Sequence, residues 1–141
     1  MKKSFLYCLA VMLILAAGSC EQKFDAEPPE ILSFTYEPMP ASAGAYIVLT
    51  AEVQAENAVI WVGTENSDYD AYLAGPTPTN QGLVMSLEYD KLNDIYVGTR
   101  SNRYTEPGNY KVVLVVSNAG DLGESIERKI QIIDLEVQSA E

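Results

Sequence analysis

The run Asn109-Tyr110-Lys111-Val112-Val113-Leu114-Val115-Val116-Ser117 constrains this chain more than any other segment. Successive side chains of an extended strand point to opposite sides. Tyr110, Val112, Leu114 and Val116 therefore share one face, and Val113 and Val115 the other. A strand that is apolar on both faces needs cover on both. It belongs in the interior of a sheet, with further strands beside it. Beyond residue 20 the chain offers period-two patterns and turn residues, and no convincing stretch of helical periodicity.

Ile31 to Tyr36 reads as a first strand, stopped by Pro38 and Pro40. Tyr46 to Val53 reads as a second, with Ile47, Leu49, Ala51 and Val53 on one face and Thr50, Glu52 and Gln54 on the other. Ala58 to Val62 is apolar throughout and suggests a buried central strand. Gly63 to Pro78 reads as a long polar connection with a short edge strand near Tyr72. Leu83 to Tyr89 and Tyr96 to Arg100 follow as strands. Pro107-Gly108 turns into the long run, and Asn118-Ala119-Gly120-Asp121 turns out of it. Ser125 to Ile133 is the final strand, with Ile126, Ile130 and Ile132 expected inward and Glu127, Lys129 and Gln131 outward. About seven short strands at this spacing predict an all-β sandwich. The expected domain covers residues 30–135, with a polar tail at 136–141.

The N-terminus has a different logic. Met1-Lys2-Lys3-Ser4 is positive, and Phe5 to Ala17 carries no charge. That apolar run has the length of a signal-peptide core and is short of the roughly 20 residues of a membrane span. It ends in Leu15-Ala16-Ala17-Gly18-Ser19-Cys20, which resembles the lipobox of bacterial lipoproteins. The resemblance implies cleavage after Ser19 and acylation of Cys20 by two or three chains, palmitate among them. It departs from the commoner form, with Ala17 where a Leu is usual. The alternative is ordinary cleavage at a small-x-small site and a soluble periplasmic product. Residues 20–29 read as an acidic tether ending in Pro28-Pro29, about 30 Å in reach when extended. Its acidic start also looks like the surface-export signal of Bacteroidota-type lipoproteins. The expected address is the cell envelope, anchored by lipid to the outer membrane and facing either the surface or the periplasm.

Without residues 1–19 the chain has seven basic and twenty acidic residues, a net charge of −13. Such a surface repels phosphate backbones, so nucleic acid is a poor partner. Cys8 falls in the removed peptide and Cys20 is the lipid site, so the domain has no disulfide and rests on its core alone. No histidine occurs, which removes the commonest general base and metal ligand. No cofactor is expected.

Tyr104, Gly108, Tyr110, Val112, Leu114, Val116 and Asn118 together form a Y-x-x-x-G-x-Y-x-V-x-L-x-V-x-N run that resembles the PKD domain. The resemblance implies an immunoglobulin-like sandwich, and it is specific over residues 104–120. Gly108 would permit a tight entry, and the Tyr110 hydroxyl would bond back to its corner. Val112 stands where antibody domains place a cysteine, with Trp61 expected to pack near it in the core. Trp61-Val62-Gly63-Thr64-Glu65 keeps one Trp and one Gly of the family's W-x-F-G-D-G segment and lacks its Phe and Asp. Val59 through Tyr69 also resembles N-terminal PKD-like domains of Bacteroidota lipoproteins, many of which accompany polysaccharide uptake.

The candidate ligand-binding residues are Tyr69, Tyr72, Tyr96 and Tyr104, whose rings offer flat faces for a sugar or a protein hot spot. The plainer alternative is tyrosines capping sheet edges. Glu65, Asp68 and Asp70 share one loop and could offer oxygen ligands to calcium, though the full calcium-loop pattern is missing and a hydrated turn explains them as well. No catalytic residue is expected. Three functions follow: a non-catalytic module binding glycan or an envelope protein, a structural accessory subunit of an outer-membrane assembly of the polysaccharide-uptake type, and, least supported, a small hydrolase using paired carboxylates. A contiguous exposed aromatic row would favour glycan, and a flat apolar patch a protein partner.

Overall fold

The structure is a computed structural model in which residues 25–75 and 81–140 are described. The expected signal peptide, Cys20 and the first part of the expected tether lie outside the described residues, as does the end of the polar connection.

Nine strands are present among the described residues: β1 (Glu30–Glu37), β2 (Ala41–Ser42), β3 (Tyr46–Gln54), β4 (Asn57–Trp61), β5 (Leu83–Met85), β6 (Leu87–Asp90), β7 (Ile95–Arg103), β8 (Gly108–Ala119) and β9 (Ile126–Gln138). One short helix, α1 (Tyr69–Ala74), follows β4, where an edge strand near Tyr72 was expected. Asp68 supplies the reason: its carboxylate accepts from the Asp70 amide at 2.9 Å and caps the helix start.

The strands form two sheets, in the orders β1-β3-β7-β6 and β2-β9-β8-β4-β5. The core lies between them. Leu49, Val53, Ile60, Val112, Leu114, Val116 and Leu135 are fully enclosed there. Removing each such aliphatic chain from water contributes about 1.5–3 kcal/mol. β8 is the middle strand of the five, as its two apolar faces require.

The segment expected as one strand from Leu83 to Tyr89 divides at Ser86. Met85 pairs with Ala58 in one sheet, and Leu87 pairs with Gly98 in the other. The crossing is close: a Cβ on Gly98 would meet the Met85 sulfur at 2.6 Å and Leu87 at 2.9 Å. Glycine at 98 leaves the room that the Met85 and Leu87 side chains occupy beside the crossing.

The inward assignment of β9 is reversed. Ile126, Ile130 and Ile132 point away from the core, with exposures of 50, 49 and 51%. Ile133, Leu135 and Val137 face it instead. The cause is register. β9 pairs with β8 along its whole length, Val112 opposite Ile133 and Leu114 opposite Gln131, so the core face of β8 fixes that of β9. Nothing local to β9 announces this choice. The polar tail assigned to 136–141 is likewise shortened, because β9 runs to Gln138 and Val137 is buried.

The end of the tether belongs to the domain too. The Ala26 amide donates to Ser125 Oγ at 2.8 Å, the Glu27 carbonyl accepts from Asn118 Nδ2 at 2.9 Å, and Pro29 is buried.

Candidate functional site

Tyr96 stands opposite Tyr89 on β6 and opposite Val53 on β3. Val53 is a core residue, so both tyrosines project from the inward face of the four-stranded sheet. Yet they are 40 and 49% exposed. The space between the sheets is therefore open at this end, where β3, β6 and β8 finish. Their rings lie 5.2 Å apart, tilted by 46°, within the range of favourable aromatic pairs. The Tyr89 hydroxyl donates to Asp94 Oδ1 at 2.6 Å. Asp94 heads into β7 with φ of 56°, a conformation that Asp tolerates better than most residues.

The opposite wall is built from three chain segments. Ala55 and Glu56 come from the β3–β4 turn, Asn118 to Asp121 from the end of β8, and Asp25, Glu27 and Pro28 from the N-terminal segment. Asn118 holds the three together. Its Oδ1 accepts from the Glu56 amide at 2.8 Å and its Nδ2 donates to the Glu27 carbonyl, while the Glu56 carboxylate accepts from the Ala119 amide at 3.0 Å. The cleft so formed measures about 510 Å³, a size typical of small-ligand sites. Asp25, Glu27, Glu56, Asp94 and Asp121 line it, and among the described residues no lysine or arginine does. A second hollow of about 760 Å³ at the other end is lined by Thr35 to Met39, Tyr46 and Val48, from β1, β3 and the turn after β1. It has no facing wall from the second sheet.

The remaining candidates are scattered. Tyr69 and Tyr72 sit on α1 and clamp Trp61, with ring centroids 5.0 and 5.2 Å from it. Trp61 is buried, but not in the core expected for it. Register sets it beside Val113, on the outer side of the five-stranded sheet, while Val112 faces inward. Tyr104 is not available to a ligand. It is 2% exposed, and its hydroxyl donates to the Val62 carbonyl at 2.8 Å. Tyr110 closes the corner before β8, donating to the Glu106 carbonyl at 2.9 Å, and its ring lies 4.2 Å from that of Tyr104. In the proposed calcium loop, Asp68 caps α1 and Asp70 meets Lys111 at 3.4 Å. No group of three metal-ligating side chains able to hold a metal ion occurs among the described residues. Asp90 is held below the usual carboxylate range, first by the Asn93 side-chain hydrogen bond and then by the Leu92 amide. That direction is wrong for a proton donor.

Sequence reasoning selected Tyr96 and missed Tyr89, Asp94 and Asn118 as members of one site. Asn118 was visible as the last position of the Y-x-x-x-G run. Its part in the cleft depends on segments far away in sequence.

Burial pushes the Tyr104 hydroxyl up to about 12, against a smaller lowering by the nearby Asn102 side chain. An unfolded tyrosine titrates near 10. The neutral form thus stabilises the fold fully below pH 10, and that stability is lost as pH rises towards 12. Between about pH 9 and about pH 11.5, wild type should lose on the order of 2 kcal/mol more in urea unfolding than Tyr104→Phe. Equal losses in the two proteins would refute the assignment.

No protein-family model matches the chain, and a search of curated proteins returned no match.

Proposed function

We propose that this chain is a non-catalytic lipoprotein of the cell envelope, with a PKD-like, immunoglobulin-like domain that binds glycan in the cleft beside Tyr89 and Tyr96. The observation that carries the reading is that aromatic pair, inward-facing yet exposed, on one wall of a carboxylate-lined cleft. Aromatic faces stack on the apolar face of a sugar ring, and carboxylates accept from its hydroxyls. With five carboxylates and no basic side chain among the described lining residues, the ligand is a neutral or amino sugar. Uronates and sulfated glycans meet like charge.

The anchor gives the cleft a position. Asp25 already lies at its wall. Acylated Cys20 would be five residues upstream, about 17 Å at full extension, rather than the 30 Å of a wholly free tether. The cleft end is then held within reach of the membrane, and the glycan it meets is membrane-proximal.

Calorimetric titration of the mature chain with neutral, amino and anionic oligosaccharides tests the reading. Binding to the first or second class is expected, weakened about tenfold or more by Tyr96→Ala. Absence of binding to both classes, or equal binding by the variant, would reject it. Mass spectrometry of the native N-terminus tests the anchor separately, by showing whether acyl chains reside on Cys20.

A further inference from the structure

The outer face of the five-stranded sheet is apolar where a solvated face should be polar. Two rows cross it. Val84, Val59, Val115 and Ile130 form one by direct pairing, and Trp61, Val113 and Ile132 the next. Val84 is 71% exposed, and Ile130 and Ile132 about half. Contiguous apolar surface of this kind marks an interaction site more often than chance exposure does.

Its occupant can be argued from the pattern. Along β9 the outward residues run Ile126, Arg128, Ile130, Ile132, Asp134, Glu136. The central four, from Arg128 to Asp134, are self-complementary about their midpoint. Turning a second copy over so that its β9 runs antiparallel sets Ile130 against Ile132, and Arg128 against Asp134, twice by symmetry. The relief agrees. α1 raises the half of the face around Trp61 and Val113, where Val113 is fully buried, while among the described residues no helix lies over the half around Val59 and Val84, where the Gly82 backbone passes beside Val59. In the antiparallel arrangement each raised half meets the other copy's open half, and the exposed Leu73 of each helix approaches the valines opposite. A two-fold axis running along β9 would instead oppose Arg128 to Arg128 and Asp134 to Asp134.

We propose that this face joins two copies of the chain in a two-fold, antiparallel, face-to-face dimer. Such an interface is isologous, the commonest form among homodimers, and two sheets stacked face to face are a standard packing mode. The proposal is independent of the cleft, which lies at the end of the sheets. The two N-terminal segments leave the dimer at opposite ends, so a tethered pair lies lengthwise along its membrane.

Sedimentation of the mature full-length chain across a concentration series tests this, using four variants at exposed positions. Wild type should dimerise below about 1 mM. Ile130→Asp should abolish association. Arg128→Asp and Asp134→Arg should each weaken it about tenfold or more, and the double exchange in one chain should restore it, because each introduced carboxylate then meets an introduced guanidinium. Circular dichroism confirms that each variant is folded. A wild-type chain that stays monomeric throughout overturns the proposal. So does a dimer indifferent to Ile130→Asp, or a double exchange no better than the single ones.

Discussion

Trp61→Ala is expected to lower the unfolding free energy by about 3–5 kcal/mol. Trp61 is the chain's one tryptophan, and it is only 6% exposed although it lies outside the inter-sheet core. It is the centre of a second, smaller core on the outer side of the sheet. Tyr69 and Tyr72 close over it from α1, and the Gly82 backbone passes so near that a Cβ there would meet its ring at 2.8 Å. A helix of six residues is far too short to persist alone, and α1 buries no residue fully. Its seat is this aromatic contact. The variant should therefore also become sensitive to proteolysis between residues 64 and 75. Urea unfolding followed by far-ultraviolet circular dichroism measures the loss, since the fluorophore itself is gone. Trp61→Phe is the control. It keeps a ring in the clamp and removes an indole N–H that is buried without a partner, so it should cost about 1 kcal/mol or less. If alanine proved as mild as phenylalanine, α1 would not be held as described.

The second large effect is expected at Gly63. Its φ is +74°, and a Cβ there would stand 2.6 Å from the Lys111 carbonyl oxygen and 3.2 Å from the Lys111 nitrogen. Backbone of the central strand cannot yield as a side chain can. Gly63→Ala should cost about 2–4 kcal/mol, combining a conformation disfavoured for L-residues with overpacking. The site is crowded because the chain leaves β4 here, with the Val62 carbonyl taken by Tyr104 and the Gly63 amide bonded to the Ser67 carbonyl. Gly123 isolates the conformational part. Its φ is +70° with nothing within 4 Å of a Cβ, so Gly123→Ala should cost about 1 kcal/mol. Thermal or urea unfolding of the two variants measures the difference. Equal losses would show that the contact with Lys111 is relieved by a shift of the chain.

Strands were legible wherever alternation was strong. Ile47, Leu49, Ala51 and Val53 are buried as their spacing predicts, and Val112, Leu114 and Val116 likewise. Alternation fails as a guide in β9. Ile126, Ile130 and Ile132 share one parity, and Ile133, Leu135 and Val137 the other, so the strand offers two apolar faces. Pairing with β8 selected the second. The same two-faced strand leaves the three isoleucines outside, where the proposed dimer uses Ile130 and Ile132. Trp61 was misplaced for a related reason. β4 is apolar on both faces, and local sequence does not say which one meets the opposite sheet.

The cleft was the least legible feature. Tyr96 could be named from its residue type. That Tyr89 stands beside it depends on the register of the β6–β7 pair, and that Asn118 ties the N-terminal segment to the β3–β4 turn depends on contacts across 60 residues or more of chain.

By itself, then, the sequence determined the mainly β character, the faces of β3 and β8, the absence of any disulfide in the domain, and the tyrosine corner before β8. Each of these follows from side-chain alternation or from residue types a few positions apart. Tertiary structure alone decided which face of β4 and β9 turned inward, where the chain changed sheets, and that α1 closed over Trp61. It also decided that the inter-sheet space stayed open at Tyr89 and Tyr96. These outcomes depend on pairing register between distant strands, and a shift of one residue in that register exchanges buried and exposed faces at once.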